Sequence, residues 1–164
     1  MSLHKLIANY AAYNTWANTR MVEWLSTFSS EQLYQTTPSS FDSLDATLQH
    51  ILRTQNYWLT FISEQDTAHL SWNHRPNEVE KILNELIKVS LQMQDTFTAY
   101  SEEDLQKILH LNSPWAQNDL SRYEYILHVI NHSTYHRGQL ASMAHSLGLN
   151  QGIPNTDYNM YNCL

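Results

Sequence analysis

Between Leu3 and Phe28 apolar residues recur three and four apart, with Leu6, Ile7, Tyr10, Tyr13, Ala17, Met21, Val22 and Leu25 on one stripe, a period that predicts a first long helix. "SSEQLYQTTPSS" supplies a short helical turn and then a Pro38 connection. A second stripe of Leu44, Leu48, Ile51, Leu52, Trp58, Leu59 and Ile62 follows Ser43, its expected N-cap. "SEQDTAHLSWNHRP" breaks the period, and Asn77 with Glu80 forms a capping pair that opens "NEVEKILNELIKVSLQMQDTFTAY", the third long helix. Ser101 starts a shorter helix, "SEEDLQKI", after which "LHLNSPWAQNDL" reads as a loop or strand-like crossover. Ser121 with Glu124 is a second capping box, opening a fourth long helix that runs to Leu147 and stops at Gly148.

The tail "LNQGIPNTDYNMYNCL" is too broken for a helix, yet Ile153, Tyr158, Met160 and Tyr161 should pack it back against the rest. Four long helices without an alternating strand pattern or an internal repeat predict an all-α fold, a four-helix bundle formed by residues 1–164 as a single domain.

Composition agrees with long helices, because three Gly and four Pro punctuate 164 residues of which 42% are hydrophobic. A net charge of −7, with only nine Lys and Arg, disfavours nucleic acid as a partner. No apolar run is long enough to cross a membrane, and the start lacks the pattern of a secretion signal. The single cysteine, Cys163, has no partner for an internal disulfide, so a reduced, cytoplasmic setting is expected. Nine histidines direct attention to metal or proton chemistry.

The stretch "NHSTYHRGQ" places His132 and His136 four apart on the fourth helix. At about 100° per residue, with Ile126 at zero, the apolar arc contains Ile130, Leu140, Ala144 and Leu147. His136 falls at roughly −80° and His132 at roughly −120°, on one edge of that arc, while His128 at roughly 200° points away from the core. On the second helix His50 lies at roughly −120° from Leu44, the same kind of edge. Two such helices side by side could bring three imidazoles together as a metal site; solvated boundary histidines fit the same periodicity. His4, His69, His74, His110 and His145 take the second reading. Arg137 falls near 20°, inside the apolar arc, where it needs a carboxylate, a carbonyl or a bound anion, in a structural or a substrate-binding role.

"HVINHSTYHRGQL" resembles the signature of the DinB family of metalloenzymes, a late helix with two histidines followed by Arg-Gly-Gln. "YNTWANTRMVEWL", "SLDATLQHILRTQNYWL" and "GIPNTDYNMY" resemble, in order, the family's first helix, its second helix with one histidine, and its C-terminal tail. The resemblance implies one divalent metal ion held by His50, His132 and His136. Three imidazoles leave a coordination position open, the mark of a catalytic site, and suit Zn²⁺, Ni²⁺ or Co²⁺, with zinc or nickel the expected ion.

Some members of the family are S-transferases or isomerases that use a low-molecular-weight thiol. The expected function is therefore a metal-dependent enzyme that activates such a thiol, or water, against a small-molecule substrate. A non-catalytic metal-binding or dimeric stress-related bundle is the alternative. Trp16, Trp58, Tyr135 and Trp115 are candidate pocket walls, although aromatic residues at helical spacing also serve as plain core. An apolar flank expected on the first helix, with the pairwise association common among relatives, points to a homodimer.

Overall fold

The computed structural model describes residues 2–70 and 78–163. Its long helices are α1 (Leu3–Leu25), α3 (Leu44–Ile62), α4 (Val79–Ala99) and α6 (Arg122–Ser146). Short helices α2 (Ser30–Tyr34), α5 (Glu102–Gln106) and α7 (Tyr158–Tyr161), with strands β1 (Ile108–Asn112) and β2 (Gln117–Ser121), occupy the connections and the tail. α1 packs on α4 and α6, and α3 packs on the same two, which closes a four-helix bundle.

Local chemistry sets these boundaries. Ser43 Oγ accepts the Ala46 N–H at 3.1 Å and starts α3. The Ser121 and Glu124 capping box starts α6, and Gly148, at φ +74°, ends its last turn in the left-handed region. α1 begins under two caps: Ser2 Oγ accepts from Lys5 N–H, and the Glu102 carboxylate accepts from the N–H groups of Leu3 and His4 at 3.1 and 3.2 Å. The expected Asn77 cap lies outside the described residues; α4 has Glu78 at its N-cap position, without a side-chain cap bond.

The structure decides between loop and strand for one segment and differs from the sequence expectation in another. "LHLNSPWAQNDL" contributes to an antiparallel hairpin, paired from Ile108 with Ser121 to Asn112 with Gln117. Burial alternates along β1, and Leu109 and Leu111 face the core. Five residues are too few for that alternation to be separated from a loop by pattern alone. The tail, read as too broken for helix, contains the single turn α7. It packs back as expected: Tyr158 stacks on Tyr10 with ring centroids 4.3 Å apart, Tyr161 lies against Trp16, and Tyr13 Oη donates to Thr156 O. This packing covers Tyr10, Tyr13 and Trp16 of α1.

The apolar core forms two clusters. One gathers Met21, Leu25, Leu48, Leu52, Leu86, Leu140 and Met143; the other gathers Ile7, Tyr13, Ile62, Phe97, Leu109, Tyr125, Ile126 and Ile130. Buried polar residues Asn14, Asn18, Gln55, Ser90, Ser133 and Arg137 come from all four long helices. Among the described residues, no helix is long and apolar enough to cross a membrane.

Candidate metal centre

α3 and α6 run antiparallel where they touch. Thr47 Oγ1 donates to Met143 Sδ at 3.4 Å near one end of the contact, and Gln55 Nε2 donates to Ser133 Oγ at 3.0 Å further along. Along this contact the helices bring His50, His132 and His136 together. His50 Nε2 lies 3.4 Å from His132 Nε2, which lies 3.1 Å from His136 Nε2. One nitrogen from each ring falls within 4.8 Å of the others.

His136 is buried, while His50 and His132 are partly exposed, so the cluster opens towards solvent at the bundle's flank. Phe41, in the loop before α3, stacks on the His50 ring at a centroid distance of 4.4 Å and reaches His136 at 5.8 Å. Tyr135 meets the His136 ring edge-to-face at 5.0 Å.

Burial disfavours the imidazolium form of all three rings. His50 is pushed down to about 4 by desolvation, then by the like charges of His136 and Arg53. His132 is pushed down to about 4 by desolvation, then by His136, His50 and His128. His136 is lowered by desolvation, against an upward pull from its bond to Gln139. The rings are therefore neutral at pH 7, the state in which an imidazole nitrogen can ligate a cation.

Gln139 fixes one tautomer. Its Nε2 donates to Ser40 Oγ at 3.1 Å and to Tyr135 Oη at 3.2 Å, which leaves Oε1 to accept from His136 Nδ1–H at 2.6 Å. With the proton on Nδ1, His136 Nε2 presents its lone pair to the other two rings. A four-coordinate ion with metal–nitrogen bonds of about 2.0–2.1 Å holds its nitrogens about 3.3 Å apart, close to the two separations observed. The residues present thus fit a divalent cation, and among the described residues no carboxylate joins the group.

Residues 1–163 match the DinB family. The chain belongs to the DinB family. It is 27% identical over 155 residues to Protein DinB of Bacillus subtilis (strain 168), covering 91% of this chain and 89% of that protein. It also shares its fold with a crystal structure of a DinB-like protein from Bacillus cereus ATCC 10987, at a TM-score of 0.69 and 19% identity, covering 88% of this chain and 91% of that one.

The other histidines of this DinB family chain stand apart from the cluster or at its edge. His128 is exposed, as its wheel position required, but its ring lies edge-to-face on Trp58 at 4.7 Å and 6.0 Å from the His132 ring. His4 Nε2 bonds Thr98 O, His110 pairs with Asp119 on the exposed hairpin, and His69 and His145 are exposed. His74 lies outside the described residues.

Of the aromatic residues considered as pocket walls, Tyr135 touches the cluster and Trp58 reaches it through His128. Trp16 packs under the tail, and Trp115 stands 64% exposed at the hairpin tip against Tyr57.

Arg137 is 2% exposed and finds neutral acceptors: Nη1 donates to Asn14 Oδ1 at 3.0 Å and Asn18 Oδ1 at 2.8 Å, and Nη2 donates to Thr134 Oγ1 and Tyr13 Oη. This supports the structural alternative, with amide and hydroxyl dipoles in place of a carboxylate. Gln139 has no role in the sequence expectation beyond its place in the Arg-Gly-Gln motif, and Phe41 is not singled out there. Gln139 follows His136 by three residues, a spacing that places both on one face and could have identified it; Phe41 lies in a loop, where no period assigns a direction.

Proposed function

We propose that the protein is a metal-dependent enzyme in which His50, His132 and His136 hold one divalent ion, zinc or nickel, and that it activates a low-molecular-weight thiol for transfer to a small electrophilic substrate. The observation that supports this reading is the convergence of three neutral, desolvated imidazoles on one point, a set of three donors that would leave a tetrahedral ion one position for water or substrate. A divalent ion bound there would lower the pKa of a thiol or water and so supply a nucleophile at neutral pH. The protein's own part is to keep the three rings neutral by burial, to hold the His136 tautomer through Gln139, and to shield His50 and His136 from bulk water with Phe41. An open groove of about 370 Å³, lined by Ser39, Tyr135, Gln139 and Ser142 among others, adjoins the cluster and offers hydroxyl and amide partners to a small polar molecule.

The absence of a carboxylate from the group among the described residues favours thiol transfer over hydrolysis, since a thiol needs no separate general base once its pKa has fallen. The same absence favours, as a second reading, a bundle that binds metal without catalysis. The proposal keeps a single domain, a cytoplasmic setting and a homodimer; with Tyr10 and Trp16 packed under the tail, pairing would use another surface. The test is consumption of a small thiol with a model electrophile by metal-loaded protein. Turnover that requires metal and disappears in His132→Ala supports the enzyme, whereas tight metal binding without turnover across several thiols supports the second reading.

A further inference from the structure

The metal-site reading leaves unexplained a belt of buried polar side chains beside the histidines. Gln55, fully buried on α3, donates through Nε2 to Ser133 Oγ at 3.0 Å, and Ser133, also fully buried, donates to Val129 O on its own helix. Ser90 Oγ on α4 lies 3.2 Å from Gln55 Oε1 and 2.7 Å from Leu86 O, and accepts from Asn18 Nδ2 of α1 at 2.9 Å. Asn18 Oδ1 accepts from Arg137, which returns the chain of bonds to α6. All four long helices are tied at this level, through residues that could have been apolar.

Such a belt is a poor way to gain stability. A buried cation without a carboxylate and a set of neutral hydrogen bonds gain little over well-packed hydrocarbon of the same shape. Buried polar pairs do discriminate strongly between registers, because sliding a helix by one residue leaves each of them unpaired. The belt lies where register matters for the histidines. Ser133 directly follows His132, Arg137 directly follows His136, and Gln55 is five residues, about 7.5 Å along the axis, beyond His50.

We propose that Gln55 and Ser133 are positioning residues: their hydrogen bond sets the axial register and rotation of α6 against α3, and so the separation of the His50, His132 and His136 Nε2 atoms. The claim about metal affinity rests on the proposed metal site; the claim about histidine geometry does not. Neither residue touches the three rings through a hydrogen bond, so both act through the helices.

The test is the double variant Gln55→Leu with Ser133→Ala, which removes both partners at once. Ser90 keeps Leu86 O as acceptor and Asn18 as donor, so the double change leaves neither of its polar neighbours newly unpaired. Two readouts are compared with wild type and with Ile82→Val, a core change at a fully buried position of α4. The first is Co²⁺ affinity with its visible absorption spectrum, and the second is the crystal structure of the metal-free protein. The expected result is a melting temperature within a few degrees of wild type, Co²⁺ affinity reduced tenfold or more, an altered spectrum, and His50 and His132 Nε2 atoms moved from their 3.4 Å separation. Ile82→Val should leave affinity and spectrum unchanged.

An unchanged histidine arrangement in the folded double variant overturns the proposal, as does unchanged affinity and spectrum where wild type binds Co²⁺. If wild type binds no Co²⁺, the metal reading fails, and the metal-free crystal structures still decide the positioning claim. Should the double variant not fold, Ser133→Ala alone, the smallest change that removes the bond, is held to the same two comparisons.

Discussion

Gln139 Oε1 accepts a 2.6 Å hydrogen bond from His136 Nδ1, and this single contact determines which nitrogen of His136 faces the other two histidines. A leucine at 139 keeps comparable volume and removes the acceptor. Metal affinity should then fall by about 10–100-fold while the thermal transition stays within a few degrees of wild type. Isothermal titration with Zn²⁺, beside a melting curve of the metal-free variant, checks both parts. An affinity equal to wild type would remove Gln139 from the site.

The histidine cluster makes the metal-free protein sensitive to acid. His50 and His132 titrate at about 4 in the folded state, below the value near 6.5 of an unfolded histidine, so between those values the unfolded chain binds more protons. The stability they contribute is complete above about pH 6.5 and is lost as the pH falls through 6.5 towards 4. Urea unfolding of metal-free protein should show a lower midpoint at pH 5 than at pH 7, and His50→Ala should flatten that dependence. An equal slope in the variant would show that other groups are responsible.

Arg137 should behave as a structural cation. Arg137→Ala leaves Asn14 and Asn18 with buried carbonyl oxygens that have lost their donor, and opens a cavity between α1 and α6. A loss of about 3 kcal/mol or more follows from the orphaned acceptors and the void together. Arg137→Lys retains the charge but cannot reach the Asn14, Asn18, Thr134 and Tyr13 oxygens with one ammonium, and should recover only part of that loss. Chemical denaturation of the three proteins orders them directly; equal stability of the alanine variant would mean that the guanidinium is dispensable.

The hairpin docks onto α6 through Tyr125, whose hydroxyl donates to Asn118 Oδ1 at 2.6 Å. Tyr125 is 1% exposed and packs its ring against Trp58 and Phe61. Tyr125→Phe should cost about 1–2 kcal/mol through the lost hydrogen bond alone, with metal binding unchanged, since the ring contacts remain. A loss of metal affinity in this variant would show that the hairpin is coupled to the histidines.

Much of this arrangement could be read from spacing. Rotation about a helix axis placed His50, His132 and His136 on the edges of two apolar arcs, placed Arg137 inside one, and sent His128 outwards, because helical periodicity converts residue number into direction. It could not supply partners across the bundle. Asn14 and Asn18 meet Arg137 only because α1 packs on α6, and Gln55 meets Ser133 only because α3 does. Phe41 escaped, and the hairpin segment stayed open between loop and strand-like crossover, for a related reason: a loop residue has no period, and five alternating positions in "ILHLN" are too few to separate a strand from a loop.

Elemental analysis of protein purified without an affinity tag or chelator tests the central claim most directly, with wild type set beside His132→Ala and His136→Ala. The metal-site account predicts close to one divalent ion per chain in wild type and none in either variant, with helical circular dichroism retained in all three. Wild-type protein that carries no metal, and that still binds none when Zn²⁺, Ni²⁺ and Co²⁺ are added, would contradict it and leave the three histidines as structural residues.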